Sequence, residues 1–293
     1  MPVRSISSVM FEQKARRRPA SASERRAPRW FPPRAYNRLT DSGAVSRPLR
    51  LHSAPPPFPS TRLESRRLLA MGCLLKQGGI HSRLRIGAVL LAAGEGRRMG
   101  GIPKALIRLQ GVPLVSRQLV ALSGAGVDEV VVVTGHARSP VEAQLASYVV
   151  TLAHNDDPSS GQQRSVRIGL AALSGPFDAV LVAPVDLPLI GAGDITELIG
   201  AFKKRPGGHV VVPMVEGERG NPIVLDGIAL ERILASGENL ACRDLIEREP
   251  GLVHEHRTAN SRFVTDLDTP DDVESLARAT GWRLELPALQ VAA

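Results

Sequence analysis

The chain has 293 residues, with 37 lysines and arginines against 29 acids and a formal net charge of +8. Residues 1–80 hold 16 of those basic residues and 4 of the acids, a local charge of +12, so the remainder carries −4 and does not read as a nucleic-acid binder. No stretch approaches the ~18 apolar residues of a membrane span, and the two cysteines, Cys73 and Cys242, offer neither a disulfide framework nor a metal-ligand spacing.

Residues 1–84 are rich in Arg, Pro and Ser, as in "RRRPASASERRAPRWFPPRAYNRL", and carry no sustained apolar period. Such a segment buries too little apolar surface to offset its ordering entropy, so a disordered basic extension is predicted there. Met71 is an alternative start within it. The N-terminus lacks the apolar core of a signal peptide, and a soluble protein of a reducing, cytoplasmic compartment is expected.

From residue 85 the pattern changes. "RIGAVLLAAG" (85–94) is a continuous apolar run closed by glycine, as expected for a strand buried on both faces. A Gly-rich loop follows, then a helix over 113–126 with Gly124 and Gly126 as stops. "DEVVVVTGH" (128–136) predicts a second buried strand, "ARSPVEAQLASY" (137–148) a helix and "VVTLAHN" (149–155) a strand. After the loop "DDPSSGQQ" come a helix at 164–175 and the strand "DAVLVAPVDLPLI" (178–190). A helix over 192–207 has Asp194 as its expected N-cap, and "KKR" (203–205) reads as its solvated end. Strands are expected at 209–217 and 220–227, helices at 228–237 and 241–249, and a closing helix at 270–280. Strands alternating with helices over 85–280 predict one α/β domain with a doubly wound, mostly parallel, Rossmann-like sheet, followed by a short C-terminal tail at 281–293. In that architecture ligands lie at the carboxyl ends of the strands.

The loop "LLAAGEGRRMGGIPKAL" (90–106) is the first candidate site. Gly94, Gly96 and Gly100 follow a strand, but the second strand ends "VVVVTGH" without the acid of a dinucleotide site, and no G-K-[ST] makes a Walker loop. A nucleoside triphosphate fits better. The small residues Ala92, Ala93 and Gly94 let a base and ribose lie against the backbone. Arg98 and Lys104 supply charge for the phosphates, with Pro103 fixing the chain before Lys104.

The pattern Leu-Ala-Ala-Gly-x-Gly-x-Arg-Met-Gly-x-x-Pro-Lys resembles the signature loop of nucleotidyltransferases of the MobA-like NTP transferase kind, and the resemblance extends over about 86–278. Four further stretches resemble the molybdenum cofactor cytidylyltransferase branch: "GQQRSVRIGL" (161–170), "VAPVDLPLI" (182–190), "ERGNPIVL" (218–225) and "VTDLDTPDDVESL" (264–276). The resemblance implies transfer of CMP from CTP to a phosphorylated pterin, the molybdenum cofactor, with release of pyrophosphate and with a molybdoenzyme as recipient. It implies nucleotide contacts from Leu91, Ala92, Ala93, Gly94, Gly96, Gly161 and Ser165, catalytic charge from Arg98 and Lys104, and Mg²⁺ held by Asp186 and Asp268. Ala-Ala-Gly in place of Ala-Gly-Gly implies a pyrimidine, because Ala93 would crowd a purine.

Chemistry supports that pairing independently. Attack at an α-phosphorus builds negative charge that positioned cations must neutralise, and Mg²⁺ takes one or two carboxylates plus phosphates and water. Other readings compete. Asp186 before Leu-Pro could form an Asx-turn, Asp268 or Ser165 could cap the helix that follows it, and Asp266 competes with Asp268 for the metal. Asp271 and Asp272 suit a helix N-terminus. His136 and His154 read as loop histidines, and His254 with His256 lacks a third zinc ligand. Two other functions stand beside the first: a cytidylyltransferase of the methylerythritol phosphate type, and a cofactor-binding chaperone without turnover.

Overall fold

The computed structural model describes residues 83–236 and 240–287. The extension predicted over 1–84 lies outside them but for its last two residues, as do Met71 and Cys73.

The chain begins with β1 (Ile86–Ala92), whose seven residues are all buried, as expected for a strand covered on both faces. Two short strands, β2 (Arg108–Leu109) and β3 (Val112–Pro113), lead into α1 (Leu114–Gly124). Then follow β4 (Glu129–Thr134), α2 (Arg138–Leu145), β5 (Thr151–His154), α3 (Gln162–Ala171) and β6 (Ala179–Pro184). The second half runs α4 (Ala192–Lys204), β7 (Val210–Val215), β8 (Glu218–Arg219), β9 (Ile223–Leu225), α5 (Gly227–Ala235), α6 (Cys242–Arg248), β10 (Val253–Arg257), α7 (Pro270–Thr280) and β11 (Leu284–Glu285).

The main sheet has the order β10-β7-β9-β6-β1-β4-β5, with β8 attached to β7. β1 pairs parallel with β4 and β6, β4 with β5, and β7 with β10, while β9 is antiparallel to both its neighbours. A mostly parallel sheet with helices on both sides is the predicted class. Alternation along β1 divides the core: Val89 and Leu91 pack with Val166 and Leu170 of α3, whereas Leu90 and Ala92 pack with Leu114 and Leu119 of α1. A second sheet, β11-β2-β3, was not apparent in the sequence, and it folds residues 284–285 of the expected C-terminal tail back onto the domain.

Helix α3 sits unusually close to the sheet. A Cβ added at Gly169 would lie 2.3 Å from Val89 Cγ1 and 2.8 Å from Val133 Cγ2. Alanine would gain about 1 kcal/mol of helix propensity, but overpacking typically costs about 1–3 kcal/mol, and the overlap here is on both sides. Gly169→Ala should therefore lower stability by up to about 2 kcal/mol net, read as a lower urea midpoint at constant slope. A stabilised variant would show that α3 is not seated on β1 and β4.

Candidate active site

β1 and β6 are parallel neighbours whose onward connections diverge. After β1 the chain turns to β4 and β5, and after β6 it continues to β9, β7 and β10 on the other side. A crevice opens at the carboxyl ends of two such strands.

The Gly-rich loop leaves β1 at this point. Gly96, at φ 64, starts a 3-10 turn over Arg97–Met99, and its carbonyl accepts the N–H groups of Met99 and Gly101 at 2.8 and 3.0 Å. A Cβ there would stand 2.1 Å from the Ile102 carbonyl oxygen, so the tight return of the chain requires glycine. Buried Met99, Ile102 and Ala105 anchor the loop. Pro103 then hands over to a second 3-10 turn that begins at Lys104.

Asp186 lies two residues beyond β6, and its carbonyl accepts the N–H of fully buried Leu267 at 3.0 Å. That bond brings Asp268 alongside. The cap of α7 is Thr269, not Asp268. Asp272 Oδ2 accepts the N–H groups of Asp268 and Thr269 at 3.0 and 2.7 Å, which leaves the Asp268 carboxylate to face the loop.

The four charged side chains meet. Lys104 Nζ donates to Asp186 Oδ2 at 2.8 Å and to Asp268 Oδ1 at 2.5 Å, while Arg98 Nη2 lies 2.5 Å from Asp268 Oδ2. Burial works against the charge of Lys104, but the two carboxylates outweigh it and hold the ammonium above its ordinary pKa. Burial likewise opposes ionisation of Asp268, yet Lys104 and Arg98 hold that carboxyl below the usual range. Asp266 behaves oppositely: burial first, then the neighbouring Asp268 and Asp186, raise its pKa.

A cavity of about 270 Å³ brings together the eleven residues singled out in the sequence: Leu91, Ala92, Ala93, Gly94, Gly96, Arg98, Lys104, Gly161, Ser165, Asp186 and Asp268 all line it. Arg97, Arg98, Lys104, Asp186 and Asp268 bring charge to its lining, while Leu91, Ala92, Ala93, Pro158, Gly161 and Ser165 are neutral. Ala93 is backed by Gly135, where an added Cβ would lie 2.8 Å from that of Ala93. A second cavity, of about 690 Å³, adjoins the first through Leu91, Gln162 and Pro184. Its wall includes Arg219, Asn221 and Cys242, and the Asn221–Pro222 peptide bond beside it is cis. Burial pushes the Cys242 thiol up to about 12. In the native protein at pH 8, Cys242 should therefore escape alkylation by iodoacetamide and react once denaturant is added, as peptide mass spectrometry can follow; fast native labelling would show an open thiol.

Several expectations need correction. Asp194 is the third residue of α4 rather than its N-cap: the helix starts after Gly191, whose N–H donates to Asp194 Oδ2 at 2.8 Å. Lys203 and Lys204 are solvated, but Arg205 is not. It donates to Asp226 at 3.1 Å and to the Phe202 and Gly208 carbonyls, and it stacks on the Phe202 ring. α3 begins at Gln162 behind Gly161, so Ser165 lies inside the helix and does not cap it. His136 and His154 are exposed, and His256 Nε2 binds Glu197 at 2.8 Å. Gln162, Pro158 and Arg97 also line the first cavity without having been assigned to the site, although Arg97 lies in the signature loop and Gln162 in the stretch 161–170.

Residues 88–256 match the family model described as the MobA-like NTP transferase domain. The bifunctional protein GlmU of Kineococcus radiotolerans is 32% identical over 226 residues, 69% of this chain and 44% of that protein. A probable molybdenum cofactor guanylyltransferase of Haloferax mediterranei is 33% identical over 128 residues, 43% of this chain and 58% of that one. The chain thus spans less than half of the GlmU relative and less than two thirds of the other. Among solved structures, a nucleotidyl transferase from Methanothermobacter thermautotroptrophicus superposes with a TM-score of 0.57 at 25% identity, covering 68% of this chain and 98% of that one.

Proposed function

The chain belongs to the MobA-like NTP transferase family, and we propose that it transfers CMP from CTP to a phosphorylated pterin-type acceptor, the molybdenum cofactor, releasing pyrophosphate. The observation that carries this reading is the charged cluster of Arg98, Lys104, Asp186 and Asp268 lining one cavity with the small, neutral residues Leu91, Ala92, Ala93, Gly161 and Ser165. A nucleotide presents the same two chemistries, charged phosphates and an uncharged base.

Asp186 and Asp268 suit Mg²⁺. Both offer hard oxygen donors and approach one another closely enough to share Lys104 Nζ. Among the described residues no group of three or more His, Cys, Asp or Glu could hold a metal by itself, so phosphate oxygens and water would complete the shell, as this ion prefers. When bound, Mg²⁺ neutralises and orients phosphate oxygens. The chain's own residues do the rest. In the reaction an acceptor phosphate oxygen forms a bond to the α-phosphorus while the α-phosphorus bond to the bridging oxygen breaks, and pyrophosphate carries away the electron pair. Arg98 and Lys104 offset the charge that accumulates on the phosphoryl oxygens and the leaving group. The Gly-rich loop holds both cations without further reorganisation.

The pyrimidine preference is supported by Ala93, which lines the cavity with Gly135 packed closely behind it. The acceptor would enter through the adjoining second cavity, since the two share a wall. The name of the Haloferax relative favours the same acceptor with a different nucleotide. Pyrophosphate release measured with CTP, GTP, UTP and ATP against isolated molybdenum cofactor tests the proposal. CTP alone should be turned over well. Turnover of GTP in its place would overturn the nucleotide, and binding without pyrophosphate would leave a cofactor-carrying protein instead.

A further inference from the structure

Asn155 is completely buried, and the reaction above gives it no part. It stands just past β5, where its N–H donates to the Thr134 carbonyl at 2.8 Å. Its side chain bridges two groups: Oδ1 accepts the N–H of Asp157 at 3.1 Å, and Nδ2 donates to Ser165 Oγ at 2.9 Å. The first bond decides the orientation of the amide. A backbone N–H can only donate, so the atom facing Asp157 is the carbonyl oxygen and the atom facing Ser165 is the amide nitrogen.

Ser165 Oγ is therefore an acceptor toward Asn155, and its own proton remains available. Among the described residues that hydroxyl makes no other hydrogen bond. Ser165 is 4% exposed. It is the one buried uncharged polar side chain among those lining the cavity.

Resting on the nucleotide reading above, we propose that Asn155 is a positioning residue that holds Ser165 as a hydrogen-bond donor toward the base, and that this polarity selects cytosine over uracil. Cytosine carries a lone pair at ring N3, where uracil carries a proton. The Ser165 proton, which has no other partner among the described residues, pairs with the first; facing the second, the hydroxyl could only accept through its remaining lone pair and would leave that buried proton unpaired. A mismatched buried polar contact weakens binding by about tenfold or more.

The test is kcat/KM for CTP and for UTP, measured by pyrophosphate release from the full chain at pH 8.5. The wild-type protein should favour CTP by about tenfold or more. In Asn155→Asp the ionised carboxylate can only accept; Ser165 then turns its proton toward residue 155 and its lone pairs toward the cavity. The CTP-to-UTP ratio should fall by about tenfold. Ser165→Ala alone should lower the ratio similarly, and adding Asn155→Asp to it should move the ratio no further. Equal losses on both nucleotides in Asn155→Asp would make Asn155 merely structural and overturn the proposal. A wild-type ratio in Ser165→Ala would overturn it whether or not the Asn155 variant folds. If the unaltered protein releases no pyrophosphate with any nucleotide, the transferase reading falls; release with an unmoved ratio overturns only the role of Asn155.

Discussion

Replacing Lys104 with alanine should lower nucleotidyl transfer by about 100-fold or more while the chain stays folded. Lys104 is the hub of the cluster, with its ammonium on Asp186 at 2.8 Å and on Asp268 at 2.5 Å. In the proposed reaction it faces charge that grows toward the transition state, and such stabilisers act on turnover more than on ground-state binding. The side chain enters from a loop whose buried anchors are Met99, Ile102 and Ala105, and none of these depends on the ammonium. Circular dichroism and gel filtration should therefore match the wild type, with the loss appearing in kcat. The ligand-free variant should also respond differently to acid. Asp268 has its pKa depressed in the folded state, so its ion pair stabilises the fold above the ordinary carboxylate pKa, and that contribution is lost as pH falls through the depressed value. Lys104→Ala removes the chief opposing charge and should flatten this part of the stability profile. Near-wild-type turnover in a folded Lys104→Ala protein would remove Lys104 from the catalytic set.

Asp186→Asn and Asp268→Asn should each reduce CTP turnover by about 100-fold or more and weaken its dependence on Mg²⁺. The two changes together should cost much less than the product of the single losses, because both carboxylates would serve one ion and removing either already spoils its site. Asp266→Asn should be mild. Asp266 lies near enough for Asp268 and Asp186 to raise its pKa, yet it takes no part in the Lys104 and Arg98 contacts. The readout is pyrophosphate release against Mg²⁺ concentration for the singles, the double and Asp266→Asn. A damaging Asp266→Asn beside a tolerated Asp268→Asn would exchange the two roles. Tolerance of all three would end the transferase reading and favour a protein that carries the cofactor without turnover.

The sequence by itself determined the α/β class, the buried β1, the tight loop after it and the chemical types in the site. Each of these is local. A continuous apolar run implies a strand covered on both faces, glycines at close spacing imply a sharp backbone return, and Pro103 restrains the residue beside it. Which of the charged residues meet was decided by the tertiary structure alone. Asp186 and Asp268 stand 82 and 164 residues from Lys104, and they converge because β6 rather than β5 lies beside β1 and because Leu267 bonds back to Asp186. Strand order is set by packing of the whole core, which no window of neighbouring residues encodes. The same reason explains the misses. Arg205 looked like a solvated helix end because its partner Asp226 is distant in sequence. Asn155 was not singled out at the end of the segment 149–155 because its burial, and the hydroxyl it orients, exist only once α3 packs across the end of β5.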